Sequence, residues 1–262
     1  MRRKIVPFVD HEIGFRLLQK LIEFSDNDEI EIPLVVTTST NGRSWWHGVE
    51  DVCRRSNIPL VIYGPSLNPS QLRLPVDWFF LLSWKHIIPT DMIAIPSKGV
   101  LNLHYSLLPE FRGVYPVNWA IIEGACKTGV TYHLVNEQID CGIVLLQAET
   151  DVDPTDTART LQLKLDDVAY DNFDLLMAKI LPMDRIEVVD GIGSDAVAQG
   201  AAYYSRKKFN ERCEIDVDAS YCGTEFINLL RGLTFLEDSS NAFFYDRKTG
   251  KRIYISVQLK HE

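Results

Sequence analysis

Apolar positions in the first hundred residues alternate between short dense runs and helical stripes. Ile5–Val9 reads as a first strand, and Gly14–Phe24 carries Leu17, Leu18, Leu21 and Ile22 at the spacing of an amphipathic helix. Glu31–Thr37 predicts a second strand, Val49–Arg55 a short helix and Pro59–Tyr63 a third strand. Trp78–Leu82 is apolar at every position, as in a strand covered on both faces. Thr90–Ile95 predicts a short helix before a strand at Gly99–His104. This alternation predicts an α/β fold: a Rossmann-like, doubly wound, mostly parallel sheet with right-handed crossovers.

Further along, Val117–Gly124 reads as a helix, Val130–Val135 as a strand and Ile143–Val152 as an extended stretch. Asp153-Pro154-Thr155-Asp156 opens a long helix with a core stripe of Leu161, Leu165, Val168, Phe173, Leu176 and Ile180, ended by Leu181-Pro182. Ile186–Val189 is strand-like, and Asp190–Gly200 is small, polar and glycine-containing, the composition of a linker. Beyond it, Thr224–Leu233 predicts a helix capped by Thr224, and Asn241–Tyr245 with Arg252–Val257 predicts a hairpin around Asp246–Gly250. The expected division is a main domain at 1–189, a linker at 190–202 and a small C-terminal α+β subdomain at 203–262. One helix and one hairpin are marginal alone, so this subdomain is expected to pack on the main domain or form a subunit interface.

The 262 residues are 46% hydrophobic, ample for a sizeable core, and carry a formal net charge of -9. That balance argues against a nucleic-acid substrate, which calls for a basic face. Five cysteines without a Cys-x-x-Cys pattern fit buried thiols in a reducing compartment, and six histidines form no metal-ligand spacing; no metal is implied. The apolar run Ile5–Val9 is broken by Asp10, His11 and Glu12, too soon for a signal peptide or membrane span. The expectation is a cytoplasmic protein without membrane attachment.

Several eye-catching features carry less. Gly191-Ile192-Gly193-Ser194-Asp195-Ala196 matches Gly-x-Gly-x-x-Ala, but no well-formed helix opens at its glycines, so it reads as linker. Trp45-Trp46-His47 reads as a loop packed back on the domain. Lys207-Lys208 and Lys251-Arg252 read as solvated charges.

The most informative stretch is Leu101–Pro109. A strand ending in Asn102-Leu103-His104 projects its carboxamide and imidazole to one side. The amide can donate to a developing oxyanion, the imidazole can move a proton, and a carboxylate from elsewhere can fix the imidazole, a set suited to acyl transfer.

These residues resemble the folate-dependent formyltransferase family. The matching positions are Asn102, His104, Ser106, Leu108, Pro109, Arg112, Gly113, Pro116, Trp119, Gly129, Val130, Thr131, Asp140 and Gly142. Many members have Pro where this chain has Tyr105; His-Tyr-Ser is common among sugar-nucleotide members. The resemblance implies the formyltransferase fold, N10-formyltetrahydrofolate as co-substrate and a primary amine as acceptor, with Asn102, His104 and Asp140 as the catalytic set. It implies a pterin pocket from two loops, with Trp84, Lys85, His86, Ile88, Gln138 and Ile139 as cofactor-binding residues. The C-terminal segments Tyr203–Arg206, Ile215-Asp216, Asn228–Arg231 and Phe243–Tyr245 resemble those of sugar-nucleotide N-formyltransferases. They imply a nucleotide-linked amino-deoxysugar acceptor, with Tyr204, Arg206 and Arg231 near it, in O-antigen biosynthesis by a homodimer. A methionyl-tRNA formyltransferase, a non-catalytic folate-binding relative and a formyl hydrolase are the alternatives.

Overall fold

Five buried residues in a row make β5 (Trp78–Leu82) the centre of a sheet. It lies between β1 (Arg3–Val9) and β6 (Gly99–His104), parallel to both. β3 (Val35–Thr38) and β4 (Leu60–Tyr63) continue the parallel array beyond β1. The eight-stranded sheet runs β4-β3-β1-β5-β6, then β8 (Lys127–Leu134) and β9 (Val144–Asp151), with the two-residue β2 (Ile30–Glu31) beside β1. The single strand expected at Glu31–Thr37 is therefore two: Pro33 has no N–H for a ladder, and the pairing with β1 breaks around it.

The computed structural model describes residues 2–38, 47–63, 75–183, 201–235 and 241–262. The Trp45-Trp46 loop, the strand-like Ile186–Val189, the Gly191–Ala196 match and most of the expected linker lie outside the described residues. Contacts gather the chain into unit 1 (Met1–His104, Tyr132–Leu146, Tyr170–Ser194) and unit 2 (Tyr105–Thr131, Gln147–Ala169, Asp195–Glu262).

In unit 1, α1 (His11–Asp26) buries Ile13, Leu17, Leu18, Leu21 and Ile22. α2 (His47–Arg55) follows β3, and the single turn α3 (Thr90–Ile93) sets Met92 into the core. One sheet face presents Val6, Phe8, Val36, Phe79, Leu81 and Val100, which pack as a cluster with Ile88 and Met92. Paired residues in a parallel ladder share a face, so Asn102 and His104 extend the row that Val100 begins. α5 (Ala158–Ile180) contributes its second half to this unit, where Phe173 meets the ring of Phe80 edge-on and Lys20 binds Asp174 at 2.8 Å.

Unit 2 has a separate core of Trp119, Ile122, Tyr204, Phe209, Cys213, Ile215, Leu229, Leu230, Leu233 and Ala242. It joins α4 (Pro116–Ile122), α6 (Arg206–Cys213) and α7 (Gly223–Leu233) with the hairpin β11 (Phe243–Tyr245)–β12 (Arg252–Tyr254). Gly232 lets α4 and α7 touch, since a Cβ there would meet the Asn118 carbonyl oxygen at 2.8 Å. A short parallel pair, β7 (Arg112–Gly113) with β10 (Tyr203–Tyr204), was not anticipated. Neither was α6, whose N-cap Ser205 accepts from the Lys208 backbone N–H. Thr224 is not the cap of its helix: Cys222 holds that position without a side-chain bond. Lys208 is not merely solvated, for its Nζ sits 4.3 Å over the Tyr204 ring. Arg252 likewise lies 4.4 Å over Phe243. Cys126 and Cys222 are exposed, contrary to the expectation of buried thiols, whereas Cys53, Cys141 and Cys213 are buried.

Candidate active site

Asn102 and His104 stand at the carboxyl end of β6, and β8 delivers His133 beside them by the same alternation. Asn102 Nδ2 lies 3.1 Å from His133 Nε2, while His133 Nδ1 lies 2.9 Å from the Leu134 carbonyl oxygen. A carbonyl only accepts, so Nδ1 carries the hydrogen. Burial lowers the His133 pKa to about 4, with His104 acting in the same direction against Asp140 and the Leu134 bond. The ring is thus neutral at pH 7, and Asn102 donates to its bare Nε2. This bond sets which end of the Asn102 carboxamide carries its N–H groups.

Asp140 comes from the loop between β8 and β9. Its Oδ2 lies 3.7 Å from His104 Nδ1 and its Oδ1 3.7 Å from His133 Nε2, with 10% of the side chain exposed. The loop is tied internally: Gln138 N donates to Asn136 Oδ1 at 3.0 Å, and Asn136 Nδ2 donates to the Cys141 carbonyl at 3.1 Å. Asp140 itself adopts φ +54, a conformation held only where the surroundings enforce it. Gly142 completes the turn: a Cβ there would stand 1.5 Å from the Leu134 carbonyl oxygen. The Asp-x-Gly spacing is therefore steric, placing a carboxylate by the histidines while the chain reverses against Leu134.

The structure brings Asn102, His104 and Asp140 together. It adds His133, which the sequence reading did not single out although Thr131 and His133 alternate in the strand after Gly129. Ser106, Leu108 and Thr131 have a shared explanation inside unit 2. Thr131 Oγ1 donates to the Ser106 carbonyl at 2.6 Å and accepts from Leu108 N at 3.1 Å, fixing the segment after β6. Tyr105 donates its hydroxyl to Asp166 at 2.7 Å.

The loop after β5 begins at Ser83 (φ +57). Trp84 packs edge-on against Phe8 and Tyr63, and its buried Nε1 has no hydrogen-bond partner. His86 lies 5.0 Å from the Tyr63 ring, Lys85 Nζ is 3.4 Å from Asp10 Oδ2, and Ile88 belongs to the core while Ile87 is 78% exposed. Gln138 is exposed and so is Ile139, whose carbonyl accepts from Cys141 Sγ. An orphaned indole N–H beside exposed apolar residues suits a heteroaromatic ring bearing acceptors.

In unit 2, Arg231 is buried and donates to the carbonyls of Asp156 (2.7 Å) and Asp153 (2.6 Å) and to Asn228 Oδ1 (2.8 Å). Burial lowers its pKa, against the pull of Asp156 and Asp153. These contacts make it a clamp on the start of α5. Tyr204 is buried against Trp119, and Arg206 is exposed with Nη1 donating to the Tyr115 hydroxyl at 3.0 Å.

The carboxyl rim of the sheet thus holds a carboxamide, two imidazoles and a carboxylate within reach of one another. Residues 64–174 match the formyl transferase family model and residues 208–261 the N-formyltransferase dimerization C-terminal domain, in line with the family that the sequence resembles. Among curated relatives it is similar to the bifunctional polymyxin resistance protein ArnA of Wigglesworthia glossinidia brevipalpis, 29% identical over 94% of this chain. It is also similar to the methionyl-tRNA formyltransferase of Fusobacterium nucleatum subsp. nucleatum, 34% identical over 61% of this chain. The chain spans 36% and 49% of the lengths of these two relatives. Its fold is that of a 4-N formyltransferase from Francisella tularensis (TM-score 0.78, 20% identity, 99% of both chains). It also matches an N-formyltransferase from Helicobacter canadensis in complex with folinic acid and dTDP-3-aminofucose (TM-score 0.62, 19% identity, 90% of this chain and 81% of that one). Among the described residues no helix is long and apolar enough to cross a membrane, and no group of three or more His, Cys, Asp and Glu is placed to hold a metal ion.

Proposed function

We propose that the chain moves the formyl group of N10-formyltetrahydrofolate onto the primary amine of a nucleotide-linked amino-deoxysugar. The acceptor we assign is a dTDP-linked 3- or 4-amino-dideoxyhexose for O-antigen, modified by a cytoplasmic homodimer. The observation that carries the reading is Asp140 3.7 Å from His104 Nδ1, beside an Asn102 amide fixed by His133. The sugar and folate named for the Helicobacter canadensis structure, together with the dimerization domain at 208–261, support the acceptor class, the donor and the assembly.

When bound, the folate supplies an activated one-carbon acyl group. Trp84, Lys85, His86, Ile88, Gln138 and Ile139 are the residues assigned to hold it. Asn102 has one N–H committed to His133; the other is assigned to the formyl oxygen as that oxygen gains charge. Such a donor lowers the barrier by about 3 kcal/mol. His104 faces Asp140 with Nδ1, so Nε2 is assigned to take the proton released as the amine bonds to carbon and to return a proton to the folate nitrogen as its bond to that carbon breaks. Asp140 balances the positive charge that this proton brings to the ring. Tyr204 and Arg206 are assigned to the acceptor; Arg231 is placed as a clamp instead.

A methionyl-tRNA acceptor is the second reading, motivated by the Fusobacterium relative. Formyl transfer assays with a panel of aminated nucleotide sugars and with charged initiator tRNA, at low and high salt, separate the two. Phosphate contacts would make tRNA affinity steeply salt-dependent. Product with a sugar and none with tRNA is expected; the reverse overturns the acceptor assignment.

A further inference from the structure

The register of the sheet sets a polar row along its carboxyl rim. Val9 pairs with Thr37 on one side and Leu82 on the other, and Leu81 pairs with Asn102. Carried past these rungs, the ladder runs Thr38, Asp10, Ser83, His104. All four lie on the face of Phe8, Val36, Leu81 and Asn102. The sheet order reverses between β1 and β5, so Asp10 and Ser83 flank the topological switch point.

Asp10 is fully buried. Its Oδ1 accepts from Thr38 Oγ1 at 2.7 Å, its Oδ2 has no hydrogen-bond partner, and Lys85 Nζ stands 3.4 Å from Oδ2. As the N-cap of α1 it makes no side-chain capping bond. A buried carboxylate is costly unless a partner compensates it, so this one demands a cation and takes Lys85. The next residue makes a second tie. His11 Nδ1 lies 3.1 Å from the Ser83 carbonyl oxygen and 3.2 Å from Ser83 Oγ. His11 (φ +59) and Ser83 (φ +57) both hold left-handed backbone, which their mutual contact helps to enforce. The two residues that follow β1 thus grip the first and third residues of the loop Ser83–Ile88, one strand from His104.

We propose that Asp10 and His11 are positioning residues for the formyl donor, acting through Ser83 and Lys85 to fix the shape of the loop that receives the folate. The inference rests on the folate reading of that loop. It assigns β1's end a role that neither composition nor the Asn-x-His motif discloses: the ties act on donor affinity, and the trio acts on chemistry.

The test is calorimetric titration with folinic acid, a stable formyl-folate, together with kcat and both KM values. Asp10→Asn and His11→Phe leave every residue assigned to the folate in place; each should weaken folinic acid binding and raise donor KM about tenfold, with kcat and acceptor KM moving less. Asp10→Asn strands no buried charge, since Lys85 is 42% exposed, and should melt close to wild type. Wild-type affinity for folinic acid in folded Asp10→Asn and His11→Phe proteins overturns the inference. So does a rise in acceptor KM alone. Failure of the wild-type protein itself to bind folinic acid overturns the folate reading instead.

Discussion

Asn102 donates its side-chain amide to the neutral ring of His133 at 3.1 Å, and that ring is anchored in turn by the Leu134 carbonyl at 2.9 Å. The orientation of the proposed oxyanion donor is therefore decided by a histidine that does no acid–base work. His133→Leu leaves the amide without its acceptor and free to turn over. Turnover should fall about tenfold, whereas His133→Gln, which keeps an acceptor, should lose less. Steady-state kinetics of the two variants, with folinic acid binding as control, decide it.

Asn102→Ala removes the donor itself. A drop in kcat of about 10²–10³ with near-normal folinic acid affinity is expected. An equal loss of folate affinity would make Asn102 a binding residue.

The same histidine shapes acid stability. Unfolded, its imidazole titrates near 6.5; folded, burial holds it at about 4. Between these values the unfolded chain binds one more proton, so stability rises with pH. The contribution is complete above about pH 6.5 and is lost as pH falls toward about 4, by about 3 kcal/mol. Urea unfolding of wild type and His133→Gln across this window should show a shallower acid limb in the variant. Parallel limbs would contradict it.

Gly142→Ala places a methyl where the Leu134 carbonyl already stands, 1.5 Å from the new carbon. The loop must shift, carrying Asp140 off the histidines. A stability loss of about 2–3 kcal/mol and at least a tenfold loss of turnover are expected. Thermal melts and kinetics measured together read both.

Arg231 was implicated in acceptor binding by resemblance, yet it satisfies two backbone carbonyls at the start of α5. Arg231→Met should lower stability by about 3 kcal/mol, seen in the melting temperature, with a smaller effect on acceptor KM. A large rise in acceptor KM at unchanged stability would restore the binding role.

How legible this was from sequence follows physical lines. Trp78–Leu82 is readable to the residue because a strand buried on both faces is apolar throughout, and Gly99–His104 because its apolar run closes on the Asn-x-His pair. Asn102, His104 and Asp140 were readable because their chemistry is carried by residue type and order. The pairing of Arg112-Gly113 with Tyr203-Tyr204 joins segments about ninety residues apart and leaves no local period. α6 escaped because Arg206-Lys207-Lys208 and Asn210-Glu211-Arg212 give it little apolar stripe; Ser205 was its one signal. The Asp10–Lys85 and His11–Ser83 ties lie across strands, where a charge and a loop residue look solvated until the ladder sets them side by side.

The proposed reaction transfers one carbon from the folate to a sugar amine at this trio. Carbon-13 NMR with a formyl-labelled donor and a dTDP-linked amino-dideoxyhexose reads it directly. The labelled carbon should move into a formamide resonance with wild-type protein and do so far more slowly with Asn102→Ala. Label that stays on the folate, or emerges as free formate, with every amino sugar supplied would contradict it.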